Sequence, residues 1–151
     1  MTLDEERWWA RLATGRHGVL GTVHPGRGVD VVPVAFAVLP AAPRALDTGV
    51  VRPRVVIPVD TIKPKRSGRL QRMRNLEADA RCVLLVDHYD DDWSRLWWVR
   101  VHARATPASV DDDIVARLAD RYPQYREPGS VVGALILEPT EVSGWSAGRM
   151  P

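Results

Sequence analysis

Apolar and polar side chains alternate most regularly from residue 95, where RLWWVRVHARATP sets Arg95, Trp97, Val99 and Val101 on one face and Leu96, Trp98, Arg100 and His102 on the other. That period of two is the mark of a long, half-buried strand. Shorter runs with β-branched content predict further strands: HGVLGTV over 17–23, VDVVPVAFAVLP over 29–40, PRVVIPVD over 53–60, RCVLLVDHY over 81–89 and VGALILEPTEVSGW over 132–145. Pro25, Gly26 and Gly28 between the first two of these predict a hairpin turn. Pro33 lies inside the second run and Pro58 inside the third. A proline donates no backbone hydrogen bond, so Pro33 belongs at an edge, at a bulge, or where something other than a strand lies alongside.

Helical spacing occurs in three places. Thr2 followed by Glu5 reads as a capping box, and Leu3, Trp8, Trp9, Leu12 and Ala13 supply the apolar positions of a short helix ending near Gly15. Leu70, Met73 and Leu76 recur at roughly helical spacing, and VDDDIVARLADRY over 110–122 begins with three aspartates that favour the positive end of a helix. About six strands, mostly without intervening crossover helices, predict an α+β, mainly β domain over 1–151, an antiparallel barrel with short helices at its rim.

Composition narrows the function classes. The chain has 151 residues, 45% hydrophobic and 26% charged, enough to bury a core. Lys and Arg total 21 against 19 Asp and Glu, a net charge of +2, which gives no general case for a polyanion-binding protein. The single cysteine, Cys82, sits in an apolar run and is expected to be a buried, inert thiol. No run approaches eighteen apolar residues and the acidic, aromatic N-terminus does not resemble a signal peptide, so a cytoplasmic protein with no membrane partner is expected.

Several chemistries find no support. There is no nucleophile-elbow serine motif, no glycine-rich phosphate loop ending in Gly-Lys-Ser/Thr, and no histidine or cysteine pair at metal spacing. The glycines at 15, 18 and 21 follow a helix, where a dinucleotide fingerprint must follow a strand. The acidic run at 87–92 lacks the spacing and central glycine of a calcium loop and reads as a solvated turn. His17, His24, His88 and His102 are scattered and read as structural.

One stretch stands apart. DTIKPKRSGRLQRMR, Asp60 to Arg74, holds six lysines and arginines and a single acid, at its first position. It runs from the end of a predicted strand into a predicted helix, where Lys63, Lys65, Arg66 and Ser67 can turn toward one anion beside free helix N–H groups. The competing reading is a solvated basic face. A nucleic-acid module is disfavoured because the aromatics that would stack bases are not interleaved with the cations.

VDTIKPKRSGRLQRMRN followed by VLLVDHYDDDWSRLWWVRVHARA resembles the split β-barrel superfamily of flavin- and deazaflavin-binding proteins that includes the pyridoxamine 5'-phosphate oxidases. More closely it resembles the actinobacterial PPOX-class enzymes dependent on the deazaflavin coenzyme F420, the flavin/deazaflavin oxidoreductase B branch. The resemblance spans nearly the whole chain, from the first helix to GWSAGR, and is carried chiefly by 59–105. It implies an FMN-binding split barrel that forms a homodimer with the cofactor in the groove between subunits. On it, Asp60, Thr61, Lys63, Lys65, Arg66 and Ser67 match the phosphate-holding positions, with Asn75 in the following helix. DVVPVAF matches the strand whose backbone runs along the ring, which assigns Val32, Pro33 and Val34 to it, and Trp98 stands where the oxidase branch has a ring-contacting glutamine. Arg69, Arg72 and Arg74 would serve the anionic tail that F420 has and FMN lacks. The implied activity is hydride transfer between reduced F420 and an organic acceptor, with no catalytic acid assigned. The alternatives are an FMN-dependent oxidase or reductase and a non-enzymatic flavin or F420 carrier.

Overall fold

A computed structural model describes residues 1–42, 49–61 and 70–149. Lys63, Lys65, Arg66, Ser67 and Arg69 lie outside the described residues. The elements are α1 (Leu3–Ala13), β1 (Gly18–His24), β2 (Gly28–Val34), β3 (Ala37–Leu39), β4 (Arg54–Asp60), α2 (Gln71–Ala78), β5 (Arg81–His88), β6 (Trp97–Ala108), α3 (Asp112–Arg121) and β7 (Val131–Ser146). Short 3-10 turns occupy Trp93–Arg95 and Pro123–Arg126. Seven strands replace the expected six because the run at 29–40 breaks at Ala35 and Phe36 into β2 and β3.

All seven strands pair antiparallel in the order β2-β1-β5-β6-β7-β4-β3. The two outermost strands are therefore consecutive in the chain, joined through Ala35 and Phe36 alone. Six spacings of a flat sheet would separate those edges by roughly 29 Å, whereas three residue steps span only about 10 Å. The sheet has to curl until its edges meet, and the mainly β architecture is a split barrel. Gly28, at φ 99, supplies the left-handed conformation that turns β1 into β2.

Inward-facing Leu20, Phe36, Val55, Ile57, Leu84, Val86, Val99, Val101, Leu135 and Leu137 form the core, into which α1 sends Trp9 and Leu12. Trp8 of α1 lies on Gly144 of β7, where a Cβ would meet the indole at 2.5 Å. A second cluster packs Ile114 and Leu118 of α3 and Tyr125 against Ala37, Leu39, Val56 and Ile136. The capping box of α1 is half made. Thr2 accepts from the Glu5 amide at 3.1 Å, but the Glu5 carboxylate pairs with Arg52 at 2.5 Å. Leu3, read as an apolar face position, is exposed; at the first helical residue it extends past the barrel rim.

The internal prolines are accommodated at edges. Pro33 pairs with Val19 of β1 on one side and lies on an outermost strand, the first of the three placements open to it. Pro58 sits beyond β3, whose pairing with β4 stops at Val56. Cys82 is buried, its thiol pushed up to about 12 by desolvation. No described helix is long and apolar enough to cross a membrane.

Candidate functional site

Where the chain crosses from β2 to β3, a groove of about 400 Å³ opens between Pro33, Val34 and Ala35 on one side and Asp60, Tyr122 and Tyr125 on the other. Arg16 and His17, between α1 and β1, close one end. The strand matched to the cofactor ring and the strand end matched to its phosphate thus meet at one place, and the size lies within the range of ligand clefts. The crossing is held from behind by α3. Arg121 donates to the carbonyls of Phe36 (2.9 Å), Ala13 (2.8 Å) and Gly15, and its guanidinium lies over the Phe36 ring. The Tyr122 hydroxyl accepts from the Phe36 amide at 3.1 Å and donates to the Arg16 carbonyl at 2.7 Å. Bonds from the end of α3 to Phe36 in the crossing and to the segment between α1 and β1 leave the Phe36 backbone little freedom.

The floor carries buried charge. Asp60 is only 4% exposed and accepts a 2.7 Å hydrogen bond from the Tyr125 hydroxyl. Burial raises the Tyr125 phenol above its ordinary value, and donating to a carboxylate raises it further. Burial likewise lowers the Arg72 guanidinium, opposed by the nearby charge of Asp60. Arg72 Nε is buried and has no hydrogen-bond partner among the described residues. A buried donor without an acceptor is costly, and an anionic group would supply one. The first turn of α2 is similarly open, since its N-cap, Leu70, makes no side-chain capping bond.

The other positions assigned from sequence distribute unevenly. Val32 packs against the barrel core and does not line the groove. Thr61 donates its amide to the Ser130 carbonyl at 2.9 Å, tying the end of β4 to the loop before β7. Asn75 is fully buried. Its amide donates to Thr22 (3.0 Å) and Asp30 (2.9 Å) and its oxygen accepts from Gln71 (2.9 Å), so it fastens α2 to the β1–β2 hairpin. Trp98 lies on the outer face of β6, paired with Trp145 and under the Arg100 guanidinium at 5.1 Å. Pro33, Val19, Leu85 and Arg100 form one row across β2, β1, β5 and β6. Three strand spacings, roughly 14 Å, therefore separate the Pro33 wall from the strand that carries Trp98.

Tyr122, Tyr125, Gln124, Arg16 and His17 were not singled out as lining groups by the sequence. RYPQY over 121–125 shows two aromatics three residues apart, but nothing local ties Tyr125 to Asp60, 65 positions away. No cluster of three or more histidine, cysteine, aspartate or glutamate side chains that could hold a metal ion occurs among the described residues.

No family model and no curated protein matches the chain. Solved structures do. One is 26% identical and aligns over 98% of this chain and 90% of its own, with a TM-score of 0.64. A FAD-binding protein from Mesorhizobium loti aligns over 95% of this chain and 94% of its own at 16% identity and a TM-score of 0.61. A protein from Listeria innocua, provisionally assigned as a pyridoxamine 5'-phosphate oxidase, aligns over 92% and 95% at 15% identity and a TM-score of 0.59. The fold is that of the pyridoxamine 5'-phosphate oxidase-like split barrels.

Proposed function

We propose that the protein is an oxidoreductase that binds coenzyme F420 and passes hydride between the reduced deazaflavin and an organic acceptor. The observation that carries the proposal is the junction of Pro33, Val34 and Ala35 with Asp60 in one groove. A flat ring suits the apolar wall, and a phosphate suits Arg72 Nε, which has no partner among the described residues and is now assigned to the phosphate rather than the tail, and the first turn of α2. Lys63, Lys65, Arg66 and Ser67 are assigned to that phosphate, and Arg69 with Arg74 to an anionic tail, on the resemblance alone. The cofactor, when bound, supplies the hydride chemistry. The chain's own part is to bind, to orient the ring through the crossing that Arg121 and Tyr122 brace, and to exclude water. Asn75 would act by positioning α2.

Trp98 stands too far across the outer face to meet the same ring as Pro33 within one chain. A two-fold partner packed on that face would bring one copy's Trp98 toward the other's groove. Val29, Val31, Leu85 and Trp145 are exposed apolar side chains on that face, set among the charged Asp87 and Arg100, a surface a homodimer interface could bury.

Titration with F420 and FMN at two ionic strengths tests the cofactor assignment. F420 should bind more tightly, with the gap narrowing as salt rises. Equal or tighter FMN binding would favour the second reading, an FMN-dependent oxidase or reductase, to which the flavin-binding neighbour lends weight. Lys63→Ala and Lys65→Ala should each weaken binding of either cofactor roughly tenfold to a hundredfold, the worth of one charge-assisted hydrogen bond, while Arg117→Ala on α3 leaves it unchanged.

A further inference from the structure

Beyond Arg16 and His17 a second hollow opens, of about 500 Å³, which the reading above does not use. Four arginines line it, each from a different part of the chain: Arg11 near the end of α1, Arg16 before β1, Arg95 in the turn before β6, and Arg149 after β7. One carboxylate, Asp87, shares the lining. Asp90 offsets part of the charge, lying 3.5 Å from Arg95 and 3.5 Å from His88. Arg11 and Arg149 form no ion pair among the described residues. Arg11 instead lies over the face of Trp97, 5.6 Å from the ring centroid, which shields one side of the guanidinium from water.

A net charge of +2 over the whole chain makes this gathering a local feature. Like charges converging on a concave wall repel one another and focus a positive potential into the hollow. Guanidinium forks are matched to carboxylate and phosphate oxygens. The four arginines come from separate elements around the hollow, so a molecule with two or more anionic groups can engage more of them than a monoanion. We propose that this hollow is a polyanion site, continuous with the first groove through Arg16 and His17, which takes a small molecule bearing two or more carboxylate or phosphate groups. The occupant is either a separate anionic molecule or the charged end of a molecule lodged in the first groove.

Calorimetric titration of the full chain with citrate tests this. Citrate should bind saturably at one site with a dissociation constant at or below about 1 mM. The double variant Arg95→Gln/Arg149→Gln should weaken it at least about tenfold, whereas Arg104→Gln/Arg117→Gln, which removes equal charge elsewhere, should not. Circular dichroism checks folding, and Arg149→Gln alone, at an exposed position after the last strand, serves if the double variant does not fold. Repeating the titration with saturating F420 separates the two sources. Loss of citrate binding under F420 but not under FMN identifies the charged end of the cofactor as the occupant, and unchanged binding identifies a separate molecule. Absence of saturable binding, or equal loss in the two double variants, overturns the proposal.

Discussion

Asn75 illustrates what one side chain can decide. With no surface exposed and hydrogen bonds to Thr22, Asp30 and Gln71, it links a helix to a hairpin, with the Thr22 hydroxyl shut away from water and Asp30 and Gln71 partly exposed. Asn75→Leu keeps the volume and leaves the Thr22 hydroxyl and an Asp30 oxygen without their donor. The buried Thr22 hydroxyl so stranded costs about 1–3 kcal/mol, whereas Asp30 stays in contact with water and keeps both bonds from Arg27. Stability should fall by about 2 kcal/mol, read as a lower urea midpoint at unchanged slope; an unchanged midpoint would mean the network contributes nothing. Cys82 gives a pH prediction. Its thiol, ordinarily at 9.0, is raised to about 12 by burial, so the folded state favours the neutral form. The stability from keeping it neutral is complete below pH 9.0 and is lost as pH climbs toward 12. At pH 8 the native thiol should resist alkylation until denaturant is added, and prompt labelling would contradict its burial.

At the scale of elements, α3 and α2 contrast. Asp111 caps α3, accepting from the Ile114 amide at 2.8 Å, while α2 begins at Leu70 with no side-chain cap. Asp111→Ala should cost about 1 kcal/mol, visible as a lower melting temperature. It should also loosen the brace that Arg121 and Tyr122 place on the β2–β3 crossing, so cofactor affinity should fall slightly as well. Adding phosphate should raise the melting temperature of the wild type if the open turn of α2 accepts an anion, and by less in Arg72→Gln. Equal shifts in both proteins would remove Arg72 from the site.

For the whole molecule, the exposed outer face is the decisive feature. Val29 and Val31 on β2 are 66% and 69% exposed, and Leu85 and Trp145 are exposed farther across the sheet, beside Asp87 and Arg100. Sedimentation should show a dimer at micromolar concentration. Val31→Lys should yield a folded monomer, since the side chain already stands in solvent in the single chain, and that monomer should lose F420 affinity if the partner's face completes the groove. A monomeric wild type with full cofactor affinity would sink the two-copy site.

Local patterning located the strand runs, the hairpin and the starts of α1 and α3, because periodicity, turn glycines and capping side chains act over a few residues, but it gave no sign that the run at 29–40 breaks in two. It restricted Pro33 to an edge, a bulge or a gap in the ladder and marked Asp60 as a strand end through the same local chemistry. Which edge, and what lay opposite, was decided only when the sheet curled and the two-residue crossing brought β2 to β3. Closure set Tyr125 on Asp60, Arg121 on Phe36 and four distant arginines around one hollow. Such contacts join residues far apart in the chain, and each is fixed by the barrel's geometry and the burial it enforces, for which no local pattern of side chains carries a signal.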